Sequence, residues 1–591
     1  MTENDPGNER RGDSLERVVG AYVSGVITRR QFMRRGVALG LSVPAIAALL
    51  AACGGGKAEP EAEPAPSPTP PEATPEPAPA ETEELQPVVG GSLREGYDLD
   101  FSRMDPINTN WYDPGFFTLY DAMITNDPDG NYVSQLAESW EFSADGLSAT
   151  FKIRPGLAFH SGRALTSTAI KEVYETIQDP KSGSPLGSLA SPIAGYETPD
   201  DTTLVVKLNH PYYDLLNVVK TGYWRIVNTE TRTRLGEDYA KNEVDGSGPF
   251  TFVEWIPGDH VTVKRWDDYP GSTVPYFENT GTAYLDEIRW TPILEAAQRA
   301  IQIEGGEIDT LHAPAFQDVD RLTQNPDLNV LTFAEWSGYI LTTNFKKNPA
   351  LEFADLKVRQ AISHAVDRQS IVDSLLFGHG EPLYGPITSA DLYYNPEVEQ
   401  YNQFDLAMAQ DLMGQAGWKP GADGILAKGG QKQKFDLTID NESFSKELGA
   451  VIQAQLKELG MDVGVQSYDR GTFFSKILDE PGVDMSMFFY LWPVPVDVVI
   501  LFTHTKTIPV PNWGYASIPE VDAAIDTWQN AANAEELQAA GQGFHLAVAQ
   551  HLPIVPVVNR KKIWVHRKNV HGWIPHQWNL YPYYNDVWLE A

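Results

Sequence analysis

The chain of 591 residues holds one cysteine, Cys53. The body that follows it therefore has no disulfide, no thiol nucleophile and no cysteine-based metal site. Basic residues are scarce, with 45 Lys and Arg against 80 Asp and Glu and a net charge of -35. A polyanion of this size is repelled by nucleic acid phosphates and anionic headgroups, which argues against a nucleic acid partner. Long apolar runs are missing as well. Beyond Cys53 none approaches the roughly 20 residues that span a bilayer, and the one candidate ahead of it, residues 36–52, is short and contains Pro44. No phosphate-cradling Gly-rich loop, no Gly-x-Ser-x-Gly elbow and no His-Glu-x-x-His helix occurs. His545, His551, His566, His571 and His576 gather near the C-terminus, but without the helical pairing and nearby carboxylate of a zinc site. They read as surface or turn residues. No catalytic residue, metal ligand or cofactor is expected.

What is present is apolar and aromatic: 42% hydrophobic and 11% aromatic residues are enough for two or three packed units. Near the N-terminus, Thr28-Arg29-Arg30-Gln31-Phe32-Met33-Arg34-Arg35 resembles a twin-arginine export signal, with Arg29, Arg30 and Phe32 as its landmarks. Leu50-Ala51-Ala52-Cys53 resembles a lipobox, in which Cys53 is lipidated and becomes the first residue of the mature chain. A basic region, a short apolar region and small residues before a cleavage point make up a secretory leader. Residues 54–87 are almost all Gly, Pro, Ala, Glu, Ser and Thr, a composition that buries nothing and favours extended backbone. At about 3.1 Å per residue this spacer would reach roughly 100 Å.

The folded body begins near Val88. Ser148–Ile153 and Thr203–Leu208 read as strands, and the turn Asp145-Gly146 precedes the first of them. Between them Ile170, Val173, Tyr174 and Ile177 share a helical face, with Thr166, Ser167 or Thr168 as N-cap. Strand patterns return at Phe250–Val253 and Val261–Trp266, and a helix follows over about 294–304. Further on, 358–366 and 406–416 have helical spacing, with Arg359 and Asp367 on a polar side. An alternation then runs strand (Phe435, Leu437, Ile439), helix (448–459), strand (Val463, Val465), short helix (473–478) and strand (Met485, Met487, Phe489). That order predicts an α/β layer with parallel strands. A helix over about 535–552 and a strand over 554–558 close the series.

Set along these elements are short motifs in a fixed order. They are Leu136-Ala137-Glu138-Ser139-Trp140, Phe151 to Gly162, Gly246-Ser247-Gly248-Pro249-Phe250 and Gly305-Gly306-Glu307-Ile308-Asp309. Then come Val358 to Arg368, Gln415-Ala416-Gly417-Trp418, Gln455 to Gly460 and Pro553-Ile554-Val555-Pro556. Together they resemble the extracellular solute-binding proteins of family 5, the peptide- and nickel-type lipoproteins that serve ABC importers.

The resemblance implies an α/β, two-lobed, hinged periplasmic-binding-protein-like fold with a large insertion subdomain in lobe one. Lobe one would span 88–332, with a strand-rich part at about 130–240, lobe two 333–555, and 556–591 would return to lobe one. The chain would cross between lobes near Phe333 to Asn344 and Pro553 to Val558. Implied partners are a small-molecule or oligopeptide ligand, the transmembrane subunits of an ABC permease and, through the lipid anchor, the outer face of a cytoplasmic membrane. The protein would act as a monomer without catalysis. Three stretches resemble cleft-lining segments: Asn110, Trp111 and Tyr112; Trp336 and Tyr339; and Trp492 to Asp497. The loop Asp440-Asn441-Glu442-Ser443, with Asn441, would lie beside them. Peptide-binding relatives place an aspartate three residues after the tryptophan, where this chain has Pro495, with Asp497 the nearest acid. Dipeptide binders carry an arginine on the loop that here reads 440–443 without one. These departures put a short free peptide in doubt and leave a longer one held by backbone pairing, and the resemblance to the family makes an oligopeptide-like ligand the expectation. An oligosaccharide or polyol, or a signalling or adaptor role on the same fold, are the alternatives.

Overall fold

The computed structural model describes residues 85–591 apart from 102–103, 110–112, 183, 185–186, 480, 492–502, 577, 580 and 591. Two large sheets, each with its own cores, organise these residues, in line with the expected α/β class. The first runs Leu328–Phe333, Lys562–Arg567, Thr310–His312, Ser92–Tyr97, Glu287–Pro292, His260–Arg265, Phe250–Ile256. Ser92–Tyr97 lies parallel to both of its neighbours. The second runs Gly380–Pro382, Val555–Arg560, Ser337–Thr343, Met485–Leu491, Lys434–Asp440, Asp462–Tyr468. Lys434–Asp440 is parallel to the strands on either side of it. The helices Ser443–Leu459 and Arg470–Leu478 supply the crossovers that parallel pairing requires. A smaller antiparallel sheet, Ala137–Phe142, Ser148–Ile153, Thr203–Leu208 and Ile193–Asp200, pairs with neither but shares the hydrophobic core of the first.

Local chemistry sets the element ends. The Thr166 hydroxyl accepts from the Ala169 N–H and starts the helix Ser167–Gln178, which buries Ile170, Val173, Tyr174 and Ile177. The helix Ser443–Leu459 buries Leu448, Ile452, Leu456 and Leu459 and stops at Gly460, whose φ of 97° is left-handed, a conformation open to glycine at little cost. Gly248 precedes the strand Phe250–Ile256 because a Cβ there would stand 2.3 Å from the Thr118 carbonyl oxygen. Both faces of the second sheet are covered. Leu341, Leu437, Met485 and Val557 pack one core, and Ile340, Tyr490, Ile525 and Phe544 another. Trp573, Tyr581, Tyr584 and Val587 from the C-terminal segment pack into the core of the first sheet.

Three expectations need correction. Val555–Arg560 pairs with Ser337–Thr343 and Gly380–Pro382 along its length, so the chain leaves the second sheet at Lys561 and not at Pro553 to Val558. Arg359 is buried at 3% exposure, because its guanidinium donates to the carbonyls of Phe353, Ala354 and His551. Of the C-terminal histidines, His545, His566 and His576 are buried. His545 tolerates this because its Nδ1 accepts from the Asn395 N–H at 3.0 Å and its ring packs 5.3 Å from Tyr394. Among the described residues, no group of three or more His, Asp or Glu is arranged to hold a metal, and no helix is long and apolar enough to cross a membrane.

Candidate functional site

In open α/β sheets, ligands sit beyond the carboxyl ends of parallel strands. Ser92–Tyr97 and Thr310–His312 end at Asp98 and His312, and Lys434–Asp440 ends in Asp440-Asn441-Glu442. Two short segments, 334–336 and 561, carry the chain from one sheet to the other and back. They run side by side: the Asn559 side chain donates to the Glu335 carbonyl at 2.9 Å, and Arg560 Nε stands 3.5 Å from Glu335 Oε2. Ser337 Oγ donates to the same Oε2 at 2.8 Å.

Arg560 is the centre of this region. Its guanidinium lies 4.0 Å from the centroid of the Phe489 ring. Burial would lower its pKa, but Glu335, Tyr339, Glu442 and Asp98 outweigh burial and raise it. Arg560 thus feels a carboxylate from the end of each sheet. Asp98 shows the converse balance. Burial pushes its carboxyl up, while His312, whose Nδ1 is 2.9 Å from Asp98 Oδ1, together with Arg299 and Arg560, brings it below its ordinary value. Burial and Asp440 hold Glu442 up against Arg560 and Arg470. A guanidinium on an aromatic face suits a carboxylate or another planar anion, and the flanking acids suit a cation beside it. Across the region Phe316 meets Phe444 at 6.3 Å, and Tyr339 packs against Phe444 and Phe489 at 5.2 and 4.8 Å.

Of the residues expected in a site, Asn110, Trp111, Tyr112, Trp492 and Asp497 lie outside the described residues, as do Arg29, Arg30, Phe32 and Cys53. Asn441 is exposed just past a strand end. Tyr339, at 1% exposure, is buried beneath the loop that carries Asn441, and burial raises its hydroxyl pKa. These two belong to one region. Trp336, at 5% exposure, packs 5.1 Å from Trp578. It stands in the bend just ahead of the strand Ser337–Thr343, with its ring centroid 5.6 Å from Lys220 Nζ. Sequence reasoning missed Arg560, Glu335 and Asp98. The one signal was a charged residue closing the apolar run Val555 to Val558. The loop 440–443 does lack an arginine, yet the fold brings Arg560 from far along the chain into electrostatic reach of Glu442.

Residues 131–507 match the family described as bacterial extracellular solute-binding proteins, family 5 Middle. The oligopeptide-binding protein AppA of Bacillus subtilis (strain 168) is 30% identical over 359 residues, covering 59% of this chain and 63% of that protein. The glutathione-binding protein GsiB of Pectobacterium atrosepticum is 25% identical over 354 residues, covering 60% and 64%. The chain thus spans less than two thirds of the length of these two relatives. In fold it is similar to the structure of Bacillus subtilis AppA in complex with a nonapeptide, with a TM-score of 0.72 and 23% identity, over 86% of this chain and all of that one. NikZ from Campylobacter jejuni, in complex with Ni(L-His), gives a TM-score of 0.70 at 20% identity over 84% and 97%. The fold is the two-lobed one of these binding proteins.

Proposed function

Since the chain belongs to the bacterial extracellular solute-binding proteins of family 5, we propose that it captures a solute between its lobes and delivers it to the membrane subunits of an ABC importer, without catalysis. The observation that carries this is the placement of Arg560 at the strip where the chain changes sheets, coupled to Asp98 on one side and Glu442 on the other. A ligand touching both strand ends at once favours the closed arrangement of the lobes, and closure of this kind is driven by differential contacts. Oligopeptide-like solutes are the first class to test, in keeping with the relatives whose names describe peptide or glutathione binding. Asn110, Trp111, Tyr112, Tyr339, Asn441, Trp492 and Asp497 would complete the cleft around Arg560. The protein would act as an exported monomer, with the Arg29, Arg30 and Phe32 leader removed and Cys53 lipidated.

Calorimetry of the purified protein against peptide and oligosaccharide panels tests the central claim, alongside mass spectrometry of what co-purifies. At least one panel member should bind, and Arg560→Met should weaken an anionic solute by tenfold or more. Uniform silence across both panels, with nothing co-purifying, would overturn solute capture. For the anchor, Cys53→Ser should move the protein from the membrane fraction to the soluble one. An unchanged membrane fraction would sink lipidation.

A further inference from the structure

The C-terminal segment 573–588 reaches from the core of the first sheet to both crossings between the sheets. At the hinge end, Trp578 packs 5.1 Å from Trp336 of the first crossing. Beside it Lys562, which follows the second crossing, donates from Nζ to the Asn579 carbonyl at 2.8 Å. At the inner end, Asp586 accepts from the Glu278 and Asn279 N–H groups at 3.1 and 2.6 Å. Between these ends Tyr581 and Tyr584 are buried in the core of the first sheet. The Tyr581 hydroxyl lies 2.7 Å from that of Tyr97, which also donates to Asp113 at 3.2 Å. The Tyr584 hydroxyl donates to Glu95 at 2.9 Å.

Glu95 lies on the central strand of the first sheet, opposite Trp290 on one neighbour and Thr310 on the other, and is fully buried. Alternation gives it the face of Leu93 and Tyr97, while Arg94 serves the other face and pairs with Asp309. Thr310 and Tyr584 both donate to Oε2, and Oε1 has no hydrogen-bond partner among the described residues. Glu95 makes no ion pair among the described residues, and the charge that acts on it, Asp98, is another acid. A buried carboxylate with no counterion is costly, and a proton removes the cost. Burial accordingly lifts this carboxyl from 4.5 to about 7, against its hydrogen bonds. Two groups near the hinge end behave differently. Burial lowers His576 to about 3, which acts in the opposite sense, and lowers the Lys562 ammonium to about 7 against Glu335, which acts only at higher pH.

We propose that the C-terminal segment is a proton-seated strap: Glu95 in its neutral form holds Tyr584 in the core, the seated strap braces both crossings, and loss of the proton loosens it. With the strap seated, Glu95 keeps its proton up to about 7; with the strap released, only up to about 4.5. By linkage, seating is full below 4.5 and weakens as pH rises to 7. Such a strap does not depend on which solute is captured.

Hydrogen–deuterium exchange of the full chain, wild type beside Glu95→Gln at each pH, tests this without any solute. From pH 5 to pH 7.5 the ratio of wild-type to variant exchange over 573–588 should rise about tenfold or more, and the ratio over 334–336 should rise with it. A constant ratio would overturn the strap. So would one that rises equally throughout the first half, since that reports global unfolding. A rise confined to 573–588 would overturn the proposal as well, because the crossings would then be unbraced. Tyr584→Phe keeps the ring but removes a donor that favours the charged carboxylate. Its exchange should go on rising at a pH where wild type has levelled off, a shift that lost packing alone does not produce. This variant carries the test where Glu95→Gln folds poorly, and an unmoved plateau would overturn the role of Glu95.

Discussion

Arg368 shows how much of this molecule depends on single buried side chains. Only 2% exposed, it donates to the carbonyl oxygens of Ser363, Val366, Leu383, Asn402 and Pro556. Each buried acceptor left without its donor costs about 1–3 kcal/mol. Arg368→Met should therefore lower stability by on the order of 3–5 kcal/mol, the range for breaking a buried charged network, read as a fall in the urea midpoint. A loss under about 1 kcal/mol would be an ordinary surface effect and would sink this account. The sequence could not announce the role. In the run from Val358 to Arg368 the pattern puts Arg359 and Asp367 on a polar side and gives Arg368 no role, and the carbonyls of His551 and Pro556 that receive the two arginines lie 192 and 188 residues away. His545 supplies a pH effect at the same scale. Burial lowers its pKa from 6.5 to about 3, so between those values the unfolded chain binds a proton that the folded chain does not. Stability from this residue is full above pH 6.5 and falls as pH drops toward 3, by about 1.4 kcal/mol per pH unit. Urea titrations at pH 6.5 and 4.5 should show wild type losing more on acidification than His545→Asn. Equal losses would mean that the ring is protonated in the fold.

Among the elements, those whose partners are close in sequence were the legible ones. Ser148–Ile153 and Thr203–Leu208 pair with each other and alternate cleanly, so their bounds follow from pattern alone. The alternation from Phe435 to Phe489 likewise yields parallel strands, since each crossover is a helix with an evident apolar face. Ser92–Tyr97 was not legible. Its residues Ser-Leu-Arg-Glu-Gly-Tyr lack the apolar alternation of a strand, and Glu95 is fully buried only because Thr310 and Tyr584, 215 and 489 residues away, donate to its carboxyl. Burial lifts that carboxyl to about 7 despite both donors. The candidate site was partly legible for the same reason: Asn441 sits at a strand end that pattern reveals, whereas Arg560 reaches it only through the fold. A helix terminus gives the test at this scale. Gly460 ends Ser443–Leu459 with a left-handed φ, and an added Cβ would meet Leu426 Cγ at 3.0 Å and the Gly424 carbonyl oxygen at 3.1 Å. Gly460→Ala should cost at least about 1 kcal/mol, seen as a lower urea midpoint, with ligand affinity unchanged in the folded protein. No shift in the midpoint would mean that the turn relaxes freely.

For the molecule as a whole, two adjacent connections between separately packed sheets allow a hinge, and contacts away from them also join the halves. Phe316 against Phe444 is one; the Tyr213 N–H donating to the Ala531 carbonyl at 3.1 Å and the Asn217 side chain donating to the Tyr393 hydroxyl at 3.4 Å are others. Contacts of this kind add to what a ligand contributes in holding the lobes together. Ligand affinity should then depend on contacts that never touch the ligand, because a receptor partly closed beforehand has less of the closure cost left for the ligand to meet. Phe316 allows a direct check, since it opens the short helical segment Phe316–Asp318 between two strands of the first sheet and meets Phe444 at the start of a helix of the second half. An aromatic pair contributes about 0.5–1.5 kcal/mol beyond its buried area. If Phe316–Phe444 forms only on closure, Phe316→Ala should weaken capture of whichever solute binds by roughly fivefold, the equivalent of about 1 kcal/mol. Small-angle scattering of the unliganded variant should report a larger radius of gyration than wild type, and saturating ligand should bring the two together. A variant that weakens binding with no change in scattering would place Phe316 in the cleft itself, and one that matches wild type in both would mean that closure does not depend on this contact.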